Sequence, residues 1–220
     1  MKLIFALWAT IASGALANAA TCVSGNSLQS YITLGAGGCS VGNAQFSLFV
    51  DLGAPQTNAI AILPSNIAVN TGGTFLQPSL TFAVNRTAQA NTLLESFFRF
   101  KVNSTLVGAA LSILGSATGT GDANAVANIC PGGMFASSNM DGCPMAETLI
   151  ASTFSDLSDS RSFAKTSFLD VFMDLTVDGG PAGTATLNSA TFGVTTIPEP
   201  ATNMLLLTGM VAIALIRRAK

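Results

Sequence analysis

The sequence predicts a mainly β chain: an antiparallel β-sandwich, jelly-roll-like, with one short helix near its N-terminal end and an apolar helix at its C-terminal end. Three observations carry this expectation. Ser167–Gly179, read as SFLDVFMDLTVDG, alternates with period two: Leu169, Val171, Met173, Leu175 and Val177 fall on one face, and Asp170, Phe172, Asp174, Thr176 and Asp178 on the other. That is the signature of a strand buried on one side and wet on the other. Phe98, Phe100 and Val102 alternate in the same way with Arg99, Lys101 and Asn103. Turn formers then punctuate the chain at short intervals, as in VNTGG, GSATGTGDAN and DGGPAGT, which is the spacing of an all-β sandwich.

Residues 1–20 read as a secretory signal peptide. Lys2 is a cationic start, Leu3 to Ala12 is apolar, and Ala17-Asn18-Ala19 fits a small-x-small cleavage pattern, placing the cut near Ala19 and Ala20. The exported body, 21–197, is long enough for one domain with a hydrophobic core. It holds five basic and ten acidic side chains, a net −5. A body without a basic stripe cannot neutralise a row of phosphates, so nucleic acid is not an expected partner.

Four cysteines in an exported chain imply two disulfides. Cys22–Cys39 and Cys130–Cys143 close short loops rich in glycine, proline and aspartate, and these are the expected pairs. Zinc is disfavoured because there is no C-x2-C spacing and no histidine. Between the first two cysteines, Leu28, Tyr31 and Ile32 stand at helical spacing. Asn26 or Ser27 offers an N-cap and Gly35 a stop, so a short helix is expected there. Further strands are expected at Phe46–Asp51, Ala59–Val69 (broken at Pro64), Leu80–Asn85, Leu106–Gly115 and Thr184–Val194.

The chain closes with Pro198-Glu199-Pro200, a charge-free run from Ala201 to Ile216, and then Arg217, Arg218 and Lys220. Sixteen residues make a helix of about 24 Å, shorter than a hydrocarbon core of about 30 Å, and the cations would hold its far end in the cytoplasm. The prolines resist continuation of the helix and keep the triplet accessible. These parts resemble the PEP-CTERM sorting signal of Gram-negative bacteria: Pro198, Glu199 and Pro200 match its motif, and Arg217 and Arg218 its basic end. Asn203 and Thr208 make the helix more polar than is usual for that signal. The resemblance covers about residues 197–220, with 198–220 as the sorting signal itself. It implies recognition by an exosortase-like membrane protease, anchoring in the membrane through the C-terminal helix at first, and then a place on the cell surface or in the extracellular matrix. The pattern from Cys22 to Phe49 also resembles ectodomains paired with such tails, a likeness that implies no activity.

No catalytic, cofactor or metal residues are expected. Without histidine, Ser-His-Asp and Cys-His catalysis are excluded. Asp170 and Asp174 share a strand face and could form a glycosidase pair. Asp156, Asp159, Asp174 and Asp178 could attract calcium, but the D-x-[DN]-x-[DN]-G spacing is missing. Asp170 and Asp174 read more simply as part of the solvated face of strand 167–179. The expected body is therefore a structural or adhesive component of the envelope or matrix, the alternative being a carbohydrate-binding module for exopolysaccharide. The body has no tryptophan and only Tyr31, and its phenylalanines read as core, which favours the first.

Replacing Pro198, Glu199 and Pro200 with alanines is expected to leave export intact and to strand the full-length protein in the membrane of a host with an active exosortase. Mass spectrometry of the cell-associated and released forms checks this. A wild-type C-terminus at Lys220, shared by the alanine variant, contradicts it.

Overall fold

The computed structural model describes residues 19–136 and 140–198. The signal-peptide reading of residues 1–18, and Glu199, Pro200, the apolar run, Arg217 and Arg218 of the tail, lie outside the described residues. No helix among the described residues is long and apolar enough to cross a membrane.

Eleven strands form one sheet: β1 (Asn26–Ser27), β2 (Cys39–Val41), β3 (Ala44–Gly53), β4 (Ile60–Ala61), β5 (Ala68–Gly73), β6 (Pro78–Ala88), β7 (Leu93–Thr118), β8 (Asp122–Pro131), β9 (Glu147–Ser152), β10 (Ser158–Asp178) and β11 (Thr184–Thr196). The long strands all pair antiparallel, in the order β1-β5-β6-β11-β7-β10-β8-β9, and the two-residue β4 runs parallel to β7. A 26-residue strand such as β7 would reach about 85 Å at about 3.3 Å per residue. A compact domain of this size has a radius of gyration of only about 16 Å. The sheet must therefore fold over on itself, and β7 and β10 are the strands that carry the fold line.

The pairing shows where they bend. The first half of β7 pairs with β3 through Phe97–Asn103, and its second half with β11 through Leu106–Thr118. Beside it, β10 changes register between Ser162 and Thr166 and again before Phe168, and such bulges bend a strand and tighten its twist. At the bend a side chain on Gly108 would come within 3.0 Å of the Arg161 carbonyl, so the close approach needs glycine there. One layer is thus β2-β3-β7-β10-β8-β9, and the other β1-β5-β6-β11 with the far halves of β7 and β10.

Between the layers lies an aromatic core. Phe98 and Phe100 of β7 face Phe82 of β6 and Phe192 of β11, with ring centroids 4.9 Å apart for Phe82–Phe98 and 5.4 Å for Phe100–Phe192. Phe49 stacks on Phe100 at 5.2 Å and meets Tyr31 edge-on at 5.5 Å. Each well-placed ring pair adds about 0.5–1.5 kcal/mol to the area it buries. Tyr31 belongs to α1 (Leu28–Thr33), which Ser27 caps by accepting from the Ser30 amide. Its hydroxyl donates to the Val23 carbonyl, so the helix is pinned at both ends. Both disulfides form as the loop lengths imply, with Cα atoms 4.7 Å apart for Cys22–Cys39 and 5.8 Å for Cys130–Cys143.

The structure corrects the sequence reading in three places. The runs around Phe98 and Leu106–Gly115 are one strand, β7. The strands β8 and β9 were not anticipated. In β8 the inward residues Ala123, Ala125, Ala127 and Ile129 alternate with Asp122, Asn124, Val126 and Asn128, but alanine and asparagine have low β propensity and mask the period. Finally, the second face of β10 is not wet: Asp170, Phe172 and Thr176 are buried and Asp174 and Asp178 half-buried.

Candidate functional site

The outer face of the β3-β7-β10-β8-β9 layer carries a connected set of polar and charged side chains. Register places its side chains in rows across the strands. Thr176, Asn124 and Ser152 form one row, Asp174, Val126 and Ile150 the next, and Phe172, Asn128 and Thr148 the third. On β7 the same face carries Glu95, Phe97, Arg99 and Lys101.

Two coverings account for the buried part of this face. The first is the loop closed by Cys130–Cys143. It inserts Phe135 against Phe172, centroids 5.1 Å apart, and forms a second apolar cluster with Phe97 and Cys130. Asp170 lies beneath this loop, 2 % exposed. A carboxylate so buried must be paired and hydrogen-bonded. Its Oδ1 accepts from Arg99 Nε at 2.8 Å, and its Oδ2 accepts from Arg99 Nη2 at 2.5 Å and from the Phe135 amide at 2.9 Å. Arg99 also donates to the Phe135 carbonyl at 3.1 Å and lies 5.0 Å from the centre of the Phe172 ring. One guanidinium and one carboxylate thus hold the loop to the sheet.

The second covering is the segment before and through β4. Gln56 donates its amide to Glu95 Oε2 at 2.9 Å, and Ile62 donates to the Glu95 carbonyl at 2.7 Å. Glu95 is fully buried, and its Oε1 has no hydrogen-bond partner among the described residues. Asp174 stands diagonally across on β10. Burial pushes its carboxyl up to about 6; the Glu95 charge adds to the rise, and the Thr176 hydroxyl, donating at 3.2 Å, pulls it down.

The remainder of the face is open and prearranged. Thr148 donates to Asn128 Oδ1 at 2.8 Å, and the Asn128 side-chain NH2 has no hydrogen-bond partner among the described residues. Asn124 donates to Asp122 Oδ2 at 3.1 Å, which leaves its own carbonyl free to accept. Asp122 Oδ1 is held by the hydroxyls of Ser152 and Thr153 at 2.8 and 2.9 Å. Val126 and the half-exposed Ile150 form an aliphatic strip between them. The free edge of β9 is blocked: Ile150 donates its amide to Asp159 Oδ2 at 3.2 Å and Ser152 to the Asp156 carbonyl at 2.8 Å. Further strand addition there is prevented.

The aspartates singled out from sequence divide accordingly. Asp170 is saturated by Arg99 and Phe135, so it does not form a solvated carboxylate pair with Asp174. The neighbour that shares Asp174's field is Glu95. Asp159 pairs with Arg161 at 2.5 Å, and Asp178 accepts from the Gly180 amide at 2.7 Å. No three acidic or cysteine side chains converge to hold a metal among the described residues. Pro198 is exposed, one residue beyond the Ile197 amide that donates to the Thr105 carbonyl at 3.0 Å. Sequence reading missed Asn124, Asn128 and Thr148; the first two lie in ANAVANI, where alternation with alanine gives too little hydrophobic contrast to mark a strand.

No family model matches this chain, and no curated protein matches it. Several solved structures show a distant likeness, three of which serve as examples. TmCBM61, solved with β-1,4-galactotriose, is 8% identical over 66% of this chain and 86% of its own, with a TM-score of 0.27. The enzymatically active domain of Bacteriophage CBA120 tailspike protein 4 is 11% identical over 70% of this chain and 20% of its own, with a TM-score of 0.27. The xylan-binding module CBM15 is 14% identical over 69% of this chain and 99% of its own, with a TM-score of 0.26. TM-scores this low carry no ligand across.

Two predictions follow from the buried groups. Asp170→Ala strands the Arg99 guanidinium and frees the Phe135 amide, and is expected to cost about 3 kcal/mol in denaturant unfolding; a loss under about 0.5 kcal/mol contradicts the clamp. Asp174 binds its proton more tightly in the fold than in the unfolded chain, where it titrates near about 4. Its contribution is therefore present below about pH 4 and lost as pH rises through about 6. Asp174→Asn is expected to raise stability at neutral pH by about 1–2 kcal/mol, allowing for solvent screening, and to flatten the profile between those pH values. A profile unchanged by the substitution contradicts this.

Proposed function

We propose that the chain is an exported, non-catalytic module of the cell envelope or extracellular matrix that binds polysaccharide through the open face of β8 and β9. The observation that carries this is the set of partly unused hydrogen-bonding groups at Asn124, Asn128 and Thr148 around the Val126–Ile150 strip. Sugar hydroxyls both donate and accept, and their ring carbons present C–H faces. A ligand site of this kind needs donors, acceptors and apolar surface together, held on rigid strands.

Export is supported by the two disulfides, which persist in oxidising compartments. Residues 198–220 then serve as the sorting signal, with an exosortase-like membrane protease as processing partner. A binding rather than catalytic role fits a chain without histidine whose most buried aspartate, Asp170, is already saturated. A structural or adhesive role without a glycan is favoured by the scarcity of exposed aromatic rings, since Phe75 and Phe154 are the strongly exposed ones among the described residues.

A polysaccharide array probed with the purified full chain tests the proposal. Retention on at least one polysaccharide is expected, weakened about tenfold or more (about 1.4 kcal/mol) by the paired substitution Asn128→Ala and Ile150→Ala. Retention on none, or retention indifferent to that pair, contradicts it.

A further inference from the structure

Beside the polar rows, on the β3 side of the same layer, a cavity of about 190 Å³ opens between β3 and the Cys130–Cys143 loop. Leu48, Val50 and Met134 form its walls, and Arg99, Lys101 and Asp170 its polar floor. All three wall residues are well exposed, at 41%, 45% and 52%. Drug-sized ligands occupy roughly 300–1,000 Å³, so this cavity suits a single ring.

Its walls are built at a cost. Ser47 opposes Lys101 and Val50 opposes Arg99, so β3 spends one extra residue there. That residue is Leu48, with a φ of 55°, a left-handed conformation that a leucine rarely adopts. Such strain is of order 1 kcal/mol or more and persists only where the surroundings enforce it. The Leu48 amide donates to the Gly35 carbonyl at 3.0 Å, which fixes the bulge. The result is two aliphatic side chains, Leu48 and Val50, on the rim of one pocket.

The charge of the floor is equally specific. Arg99 and Asp170 neutralise each other. Lys101 has no ion-pair partner among the described residues; its ammonium lies 4.1 Å from the centre of the Phe168 ring. Lys101 thus brings to the lining of the pocket a cation with no ion-pair partner among the described residues, on a body of net −5.

We propose that this pocket takes the carboxylated ring of an acidic polysaccharide, a uronate, with the carboxylate on Lys101 and the C–H face of the ring on Leu48, Val50 and Met134. This rests on the polysaccharide-binding reading above and adds to it the chemical class of the sugar. Neutral stretches lie along the Asn124–Asn128 rows, and the acidic ring enters at the β3 side.

Titrating the full chain with oligogalacturonates and with neutral galacto-oligosaccharides of equal length tests it. The acidic oligomers are expected to bind more tightly. Lys101→Met, which keeps the apolar stem over Phe168, is expected to lower that affinity at least tenfold and leave the neutral affinity unchanged. Val50→Glu, an exposed position on the rim, is expected to abolish acidic binding by like-charge repulsion while leaving the thermal midpoint in place. Neutral oligomers binding as tightly as acidic ones, or acidic binding indifferent to both substitutions, overturns this inference and leaves polysaccharide binding standing. Binding of neither class overturns this inference, and polysaccharide binding is then decided by the array.

Discussion

The buried carboxylate of Asp170 is the constraint on which the outer layer depends. An acidic group with 2 % exposure is tolerated only if its lone pairs are occupied. Arg99 on the neighbouring strand and the Phe135 amide in the disulfide loop occupy them. The carboxylate needs the loop for its third bond, and the loop needs the carboxylate to fix its height above the sheet. Phe135 then seals the junction against Phe172. The Cys130–Cys143 disulfide shortens the loop's freedom in the unfolded chain, by roughly 3 kcal/mol in the chain-entropy model. It does not choose where the loop lies; the ion pair and the ring contact do. The loop in turn supplies Met134, one wall of the cavity whose floor the same ion pair forms.

The long strands set the other half of the design. Because β7 and β10 run through both layers, Phe98 and Phe100 on the inner face and Glu95, Phe97, Arg99 and Lys101 on the outer face belong to one continuous backbone. A substitution that disturbs the aromatic core between the layers is therefore felt directly at the polar face. Asn124 and Asn128 stand on β8, which pairs with β10 along its length, so they are carried by a strand and not by a loop.

Much of this was legible in the sequence. Leu169, Val171, Met173, Leu175 and Val177 read as an inward face, and so they are. Ser27 read as a possible cap and Cys22–Cys39 as a local pair, and both stand. What was not legible is the covering of β10's second face. Period two tells which residues share a side, but not whether something else lies on that side. Asp170 and Asp174 look alike in SFLDVFMDLTVDG, yet one is clamped by an arginine across the strand and the other faces a buried glutamate. That difference comes from a loop and from a segment near Gln56, both distant in sequence. The site residues Asn124 and Asn128 were hidden for a local reason: they alternate with alanines, whose period carries little hydrophobic contrast. Leu48 could not have been found at all, since a bulge is set by how two strands are held and not by the residue that fills it.

The tie between Asp170 and the disulfide loop is tested most directly by amide hydrogen exchange at Phe135. That amide is the loop's hydrogen bond to the buried carboxylate, 2.9 Å from Asp170 Oδ2. If the clamp organises the layer, Phe135 exchanges only through large-scale opening, with protection close to that of the core amides of β7 and β10. Exchange at Phe135 as fast as in an unstructured peptide, while those core amides stay protected, would mean that the loop lies loose on the sheet and that the cavity beneath it is not held open by the ion pair.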